Sequence, residues 1–211
     1  MGNKVLVACE YSGIVRDAFI KKGYDAYSLD LLPTDVTGPH VQEDVVVHLE
    51  SLPDNSLDLI IAHPPCTSLT VAGNSTYGRG KDRHGERIAQ AAWTQALWHL
   101  AKRKAARVCF ENPVGVLSSM TDIPKPVFVQ PWQFGHKEQK KTGLHLHNLP
   151  KLEPTNVVYD EMMLLPKNQR ERLHYLPPSP DRWKIRSTTF RGIAEAMADQ
   201  WGEKLGADKN D

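Results

Sequence analysis

Along the N-terminal half of the chain, short apolar runs alternate with amphipathic stretches. Lys4-Val-Leu-Val-Ala-Cys9 is a continuous apolar run, the pattern of a strand buried on both faces. Residues 15–22 carry Val15, Ala18 and Phe19 at helical spacing, and Gly23 closes the helix. Residues 26–31 predict a second strand, 44–47 a short third and 57–62 a fourth. A long helix follows over 86–104, with Ile88, Ala92, Leu97 and Leu100 on one side and Trp93 and Trp98 as packing residues. Residues 107–110 make a fifth strand. This alternation predicts a mostly parallel sheet with helices on both faces.

The C-terminal half reads differently. Residues 127–130 and 142–146 predict two strands joined by a polar loop with Gly135, His136, Lys137, Lys140 and Lys141, an antiparallel hairpin at the sheet edge. His145 and His147 alternate with Leu144 and Leu146, as on the polar face of an edge strand. Residues 148–185 hold Pro150, Pro154, Pro166, Pro177, Pro178 and Pro180, and predict an irregular excursion with one helical turn near 168–173. A final helix over 189–205 sets Ile193, Met197 and Trp201 four residues apart. No repeat and no composition break divides the chain, so residues 1–211 are expected to form a single domain.

Composition narrows the function. The 211 residues carry 26 Lys and Arg against 25 Asp and Glu, which excludes a strongly basic nucleic-acid coat and an acidic tail but not a local basic groove. No apolar run reaches the roughly 18 to 20 residues of a membrane span, and no charged-then-apolar leader precedes the first strand. No membrane partner and a cytoplasmic location are therefore expected. Cys9, Cys66 and Cys109 are widely spaced with no Cys-x-x-Cys pair, so neither a zinc site nor a disulfide framework is expected.

Ligands of parallel sheets bind beyond the carboxyl ends of the strands. Those ends carry Glu10-Tyr-Ser-Gly13, Asp30, His63-Pro-Pro-Cys66 and Glu111-Asn-Pro113. Pro64 and Pro65 stiffen the approach to Cys66, which suits a nucleophile aimed into a cleft. Glu111 on the next strand offers a carboxyl to give a proton or a hydrogen bond. Gly13 permits close approach of a cofactor, and Asp30 occupies the place of an acid on ribose hydroxyls. The Gly-x-Gly-x-x-Gly phosphate fingerprint is absent, which fits an adenosine cofactor without phosphates.

In this order, Tyr11-Ser-Gly13, Asp30, Pro65-Cys66 and Glu111-Asn112 resemble the DNA cytosine carbon-5 methyltransferases, and the chain looks like a small phage-type member. The resemblance runs from the first strand to about Leu146 and resumes in the last helix. It implies an α/β, Rossmann-like S-adenosylmethionine-dependent methyltransferase fold, a mostly parallel sheet with a C-terminal antiparallel hairpin. It also implies S-adenosyl-L-methionine as cofactor, bound by Glu10, Tyr11, Ser12, Gly13, Asp30, Asp44 and Pro64, with Asp44 at the adenine amine. Cys66 would be the nucleophile and Glu111 the residue at cytosine ring nitrogen 3, positioned by Asn112. The setting implied is a bacterial or phage-infected cell.

The chain departs from the family at three places. Val15 replaces a second glycine, Gln139-Lys-Lys-Thr142 stands for a Gln-x-Arg-x-Arg segment, and residues 148–185 occupy the slot of the target-recognition domain. Lys140 and Lys141 would then substitute for the missing arginines, and Arg79, Lys81 and Arg83 would meet phosphates from a mobile lid over 67–85, with Tyr77 able to stack on a base. The partner implied is DNA, with RNA or a free cytosine nucleotide as alternatives, and a monomer or small homo-oligomer. A non-catalytic nucleic-acid-binding relative and a redox or hydrolytic enzyme using Cys66 are the competing classes. No metal is expected.

Overall fold

The structure, a computed structural model, describes residues 3–207. Its elements are β1 (Lys4–Ala8), α1 (Ile14–Lys21), β2 (Asp25–Asp30), β3 (His40–Gln42), α2 (Val45–Ser51), β4 (Leu57–Ala62), α3 (Asn74–Tyr77), α4 (His84–Lys104), β5 (Ala105–Pro113), α5 (Leu117–Met120), β6 (Val127–Val129), β7 (Thr142–His147), α6 (Tyr159–Met163), α7 (Lys167–Arg170), α8 (Arg172–Tyr175), α9 (Arg182–Ser187) and α10 (Arg191–Ala207). The strands form one sheet in the order β3-β2-β1-β4-β5-β7-β6. The first five pair in parallel, and β7 runs antiparallel between β5 and β6. This is the mostly parallel sheet with an antiparallel C-terminal hairpin that the sequence predicts.

Alternation along the strands divides the core. Val5, Val7, Leu59, Ile61, Cys109 and Leu144 pack on one face against Val15 and Phe19 of α1 and Ile193, Met197 and Trp201 of α10. Leu6, Ala8, Ile60, Val108 and Phe110 pack on the other against Leu49 of α2 and Ala91, Leu97 and Trp98 of α4. Both faces of the central strands are covered, which is why β1 and β4 read as unbroken apolar runs.

Four expectations need correction. The third strand is His40–Gln42, and the valines expected to form it open α2. Asp44 caps that helix, accepting from the amides of Val46 at 2.8 Å and Val47 at 3.2 Å, and burial of Val45 and Leu49 outweighs the low helix propensity of valine. On α4 the buried stripe runs through Arg87, Ala91, Thr94, Trp98 and Ala101, leaving Ile88 and Ala92 exposed. The stripe includes polar residues because each is satisfied: the Thr94 hydroxyl donates to the Gln90 carbonyl at 2.8 Å. β7 is interior to the sheet, so His145 is buried and bonds the Pro124 carbonyl at 2.6 Å through Nδ1. Finally, the Pro-rich excursion contains α6 to α9, four short helices where one turn was predicted.

No helix among the described residues is long and apolar enough to cross a membrane. Trp201 is fully buried and its indole N–H donates to the Pro150 carbonyl at 3.0 Å, tying α10 to the start of the excursion. Trp201→Ala should lower unfolding stability by about 3–5 kcal/mol, read as a drop in the urea midpoint. An unchanged midpoint would contradict the placement of α10 in the core.

Candidate active site

The site arises from a mismatch in strand length. β4 ends with Ala62 paired to Phe110, whereas β5 continues through Glu111, Asn112 and Pro113 because β7 pairs with them on the other side. Glu111 therefore sits inside a strand, projecting over the place where the chain leaves β4 through His63, Pro64, Pro65 and Cys66. His63 Nδ1 lies 3.2 Å from Glu111 Oε2, and both side chains are nearly buried.

Charge completes this group. Burial pushes the Glu111 carboxyl upward, but the His63 hydrogen bond and the positive charges of Lys140 and His63 outweigh it and hold the group below the usual carboxylate range. The Cys66 thiol is raised, first by burial and then by the charge of Glu111, against the opposing pull of Lys140 and Arg186. Glu111 is thus acted on by His63 and Lys140, and the Cys66 thiol by Glu111, Lys140 and Arg186. Lys140 is held by Thr188, its Nζ 3.5 Å from that carbonyl. Lys141 points elsewhere and stands 4.4 Å from the centre of the Phe128 ring. Of the two lysines, only Lys140 reaches the thiol and the carboxyl.

A second group forms at the ends of β1 to β3. Burial and then the charges of Asp30 and Asp44 push the Cys9 thiol up to about 12, so both carboxylates act on this thiol. Asp30 Oδ1 accepts the Leu32 amide at 2.9 Å, and the intervening Leu31 presents an apolar side chain that is 66% exposed. Gly13 adopts a left-handed φ of 71° at the entrance to α1. Both carboxylate oxygens of Glu10 are taken up locally, accepting from Ser12 Oγ and from the amides of Val15 and Arg16. Glu10 therefore fixes the turn from within. Tyr11 is also turned inward: its hydroxyl lies 3.1 Å from both the Lys184 carbonyl and Ser187 Oγ, and its ring packs on Trp183 of α9. Pro64 is buried beneath the Cys66 turn.

An anchor absent from the sequence reading is Arg16. It is fully buried, and its guanidinium donates to Asp17 Oδ1, Ser28 Oγ, Thr34 Oγ1 and the Thr37 carbonyl. Those bonds pull the loop after β2 against α1. A Cβ at Gly13 or Gly38 would overlap that guanidinium. The signal in the sequence is an arginine three residues before Phe19, on the apolar face of α1. Arg186 was also missed, because the segment that holds it was expected to be irregular.

The segment after Cys66, expected as a mobile lid, carries helical structure. It forms a 3-10 turn at Val71–Gly73 and then α3, closed by bonds from the Leu69 and Thr70 amides to the Cys66 carbonyl. Buried Arg87 clamps it from α4, donating to the Ser68 carbonyl at 2.6 Å, Asn74 Oδ1 at 2.8 Å and the Thr70 carbonyl at 3.0 Å. Arg79 and Lys81 are exposed on this segment, whereas Arg83 makes a two-pronged pair with Glu86 and covers the Tyr77 ring at 4.8 Å. One face of the Tyr77 ring is thus occupied by Arg83. Asn112 faces away from Glu111: its buried amide makes no hydrogen bond within the protein and borders a cavity of about 250 Å³ shared with His145 and Phe128.

Comparison with protein families and with curated proteins finds no match for this chain. Solved structures similar to this chain include these three. A prophage-encoded E. coli protein described as a DNA modification methyltransferase is 14% identical, with a TM-score of 0.49, over 74% of this chain and 51% of its own. A DNMT2 variant from Spodoptera frugiperda is 13% identical, with a TM-score of 0.39, over 74% and 54%. A SAM-dependent methyltransferase from Archaeoglobus fulgidus is 18% identical, with a TM-score of 0.34, over 53% and 45%. The chain spans about half the length of these structures.

The clamp on the Cys66 segment is directly testable. Arg87→Met leaves buried carbonyls unpaired, so stability should fall by about 1–3 kcal/mol. Trypsin should then cut at Arg79 and Lys81 sooner than in the unmutated protein, as followed by mass spectrometry. Equal cleavage rates would show that Arg87 does not hold the segment.

Proposed function

We propose that this chain transfers a methyl group from S-adenosyl-L-methionine to carbon 5 of cytosine in DNA, acting as one domain with residues 148–185 in place of a target-recognition domain. The observation that carries the reading is the meeting of Cys66, Glu111, His63 and Lys140 where β5 overhangs β4, beside an acidic group at the ends of β1 to β3.

The residues present fit the cofactor. Asp30 and Asp44 supply negative charge for a sulfonium ligand and acceptors for ribose and amine donors. Leu31 offers an exposed apolar surface for a planar ring. The Gly13 turn permits close backbone approach. S-adenosylmethionine, when bound, supplies an electrophilic methyl group.

The protein's part lies in the base. Carbon 5 of cytosine is a weak nucleophile until a thiolate adds at carbon 6. Cys66 supplies that thiolate, and Glu111, once protonated, donates to ring nitrogen 3 and stabilises the charge developing there. Lys140 adds positive potential beside both groups and Arg186 beside the thiol. A duplex base must leave the stack to reach them, at a cost of a few kcal/mol. Exposed Arg79 and Lys81, on the segment continuous with Cys66, offer phosphate contacts.

Transfer of a labelled methyl group should be found with DNA, and a parallel assay with RNA and dCMP separates the alternatives. Transfer to RNA or dCMP alone would reject the DNA assignment, and none to any would reject the reaction. Calorimetry should show cofactor binding, weakened in Asp30→Ala by roughly 1.5–3 kcal/mol. No heat from the unmutated protein at millimolar cofactor would reject the cofactor assignment.

A further inference from the structure

Three groups able to handle protons meet at the overhang: Cys66, His63 and Glu111. His63 donates through Nδ1 to Glu111 Oε2 at 3.2 Å, which fixes the imidazole tautomer and leaves the lone pair on Nε2. That nitrogen is buried and has no hydrogen-bond partner in the protein. A buried polar atom left unpaired is costly, and here the unpaired atom is a base. A carboxylate on one ring nitrogen and a free lone pair on the other is the arrangement of an oriented general base, and the Glu111 carboxyl that His63 holds is the one whose charge acts on the Cys66 thiol three residues along the chain.

Cys66 needs such a base. Burial and the charge of Glu111 favour its protonated form, and only the thiolate attacks carbon. Two prolines fix the chain between His63 and Cys66. The other groups that bear on this cluster are Lys140, from the segment before β7, and Arg186, from α9. Cys109, behind Glu111 on β5, is kept protonated by burial and then by the Glu111 charge.

We propose that His63 is a positioning residue that relays the Cys66 thiol proton to Glu111, so that forming the nucleophile and loading the carboxyl are one event. The Sγ–H bond breaks and its proton goes to Nε2, directly or through one water. The Nδ1 proton passes to Glu111, and His63 remains neutral with its tautomer exchanged. The sulfur electron pair forms the bond to ring carbon 6, the displaced ring electrons collect at nitrogen 3, and that nitrogen takes the proton from Glu111. No net charge is created. When the sulfur departs, the same path returns the nitrogen 3 proton to it.

The inference rests on the proposed role of Cys66, but the relay is readable without any methyl transfer. The test is the rate of Cys66 alkylation by iodoacetamide from pH 5 to 10, read on the Cys66 peptide by mass spectrometry. His63→Asn keeps an N–H toward Glu111 and deletes the Nε2 base; its thermal melting serves as the folding control. Alkylation at pH 7 should fall by about tenfold or more in this variant and recover only in alkaline solution. A profile superimposable on that of the unmutated protein would overturn the relay. A second measurement needs no variant: blocking Cys66 with methyl methanethiosulfonate should change the His63 titration seen by nitrogen NMR, and an unchanged titration would overturn it equally. Failure of methyl transfer to every substrate, with the alkylation difference present, would reject the proposed function while supporting the relay.

Discussion

The site depends on β5 outrunning its parallel neighbour. β4 stops at Ala62, and β7 alone carries β5 three residues further, to Pro113. An antiparallel partner at that position is thus more than an edge decoration. It supplies the ladder that holds Glu111 rigidly above the vacated end of β4, where Pro64 and Pro65 deliver Cys66. A groove built this way needs no domain interface, because the floor is sheet and the walls are strand ends.

Around that floor the protein sorts its charges. Acids gather at the ends of β1 to β3, where Cys9 feels Asp30 and Asp44. Cations gather over β4 and β5, where Lys140 and Arg186 act on Cys66. The two halves therefore carry opposite charge at the carboxyl ends of the strands. Two buried guanidiniums brace them from below, Arg16 under the loop after β2 and Arg87 under the segment after Cys66. α9 spans both, since Lys184 reaches Asp35 at 3.4 Å while Arg186 bears on the thiol.

Much of this was legible in the residues. Continuous apolar runs marked β1 and β4, because burial on both faces leaves no alternation to misread. The Pro-Pro-Cys turn and the Glu111 carboxyl declared themselves by composition at strand ends. What stayed hidden was decided by tertiary partners. Val45 to Val47 look like a strand until Asp44 caps them as a helix. His145 looks solvent-facing until β6 covers the edge. Arg16 and Arg87 look like surface charges because sequence shows an arginine but not the carbonyls waiting for it. His63, between an apolar strand and two prolines, gives no sign of its bond to a residue 48 positions away.

The central claim is that Cys66 adds covalently to the base while Glu111 faces it. The most direct measurement incubates the protein with S-adenosylmethionine and DNA containing 5-fluorocytosine, whose fluorine cannot leave as a proton does, then digests the product for mass spectrometry. The account predicts a stable protein–DNA adduct on the peptide containing Cys66, absent in Cys66→Ser. An adduct on Cys9 or Cys109, or methyl transfer undiminished in Cys66→Ser, would contradict it.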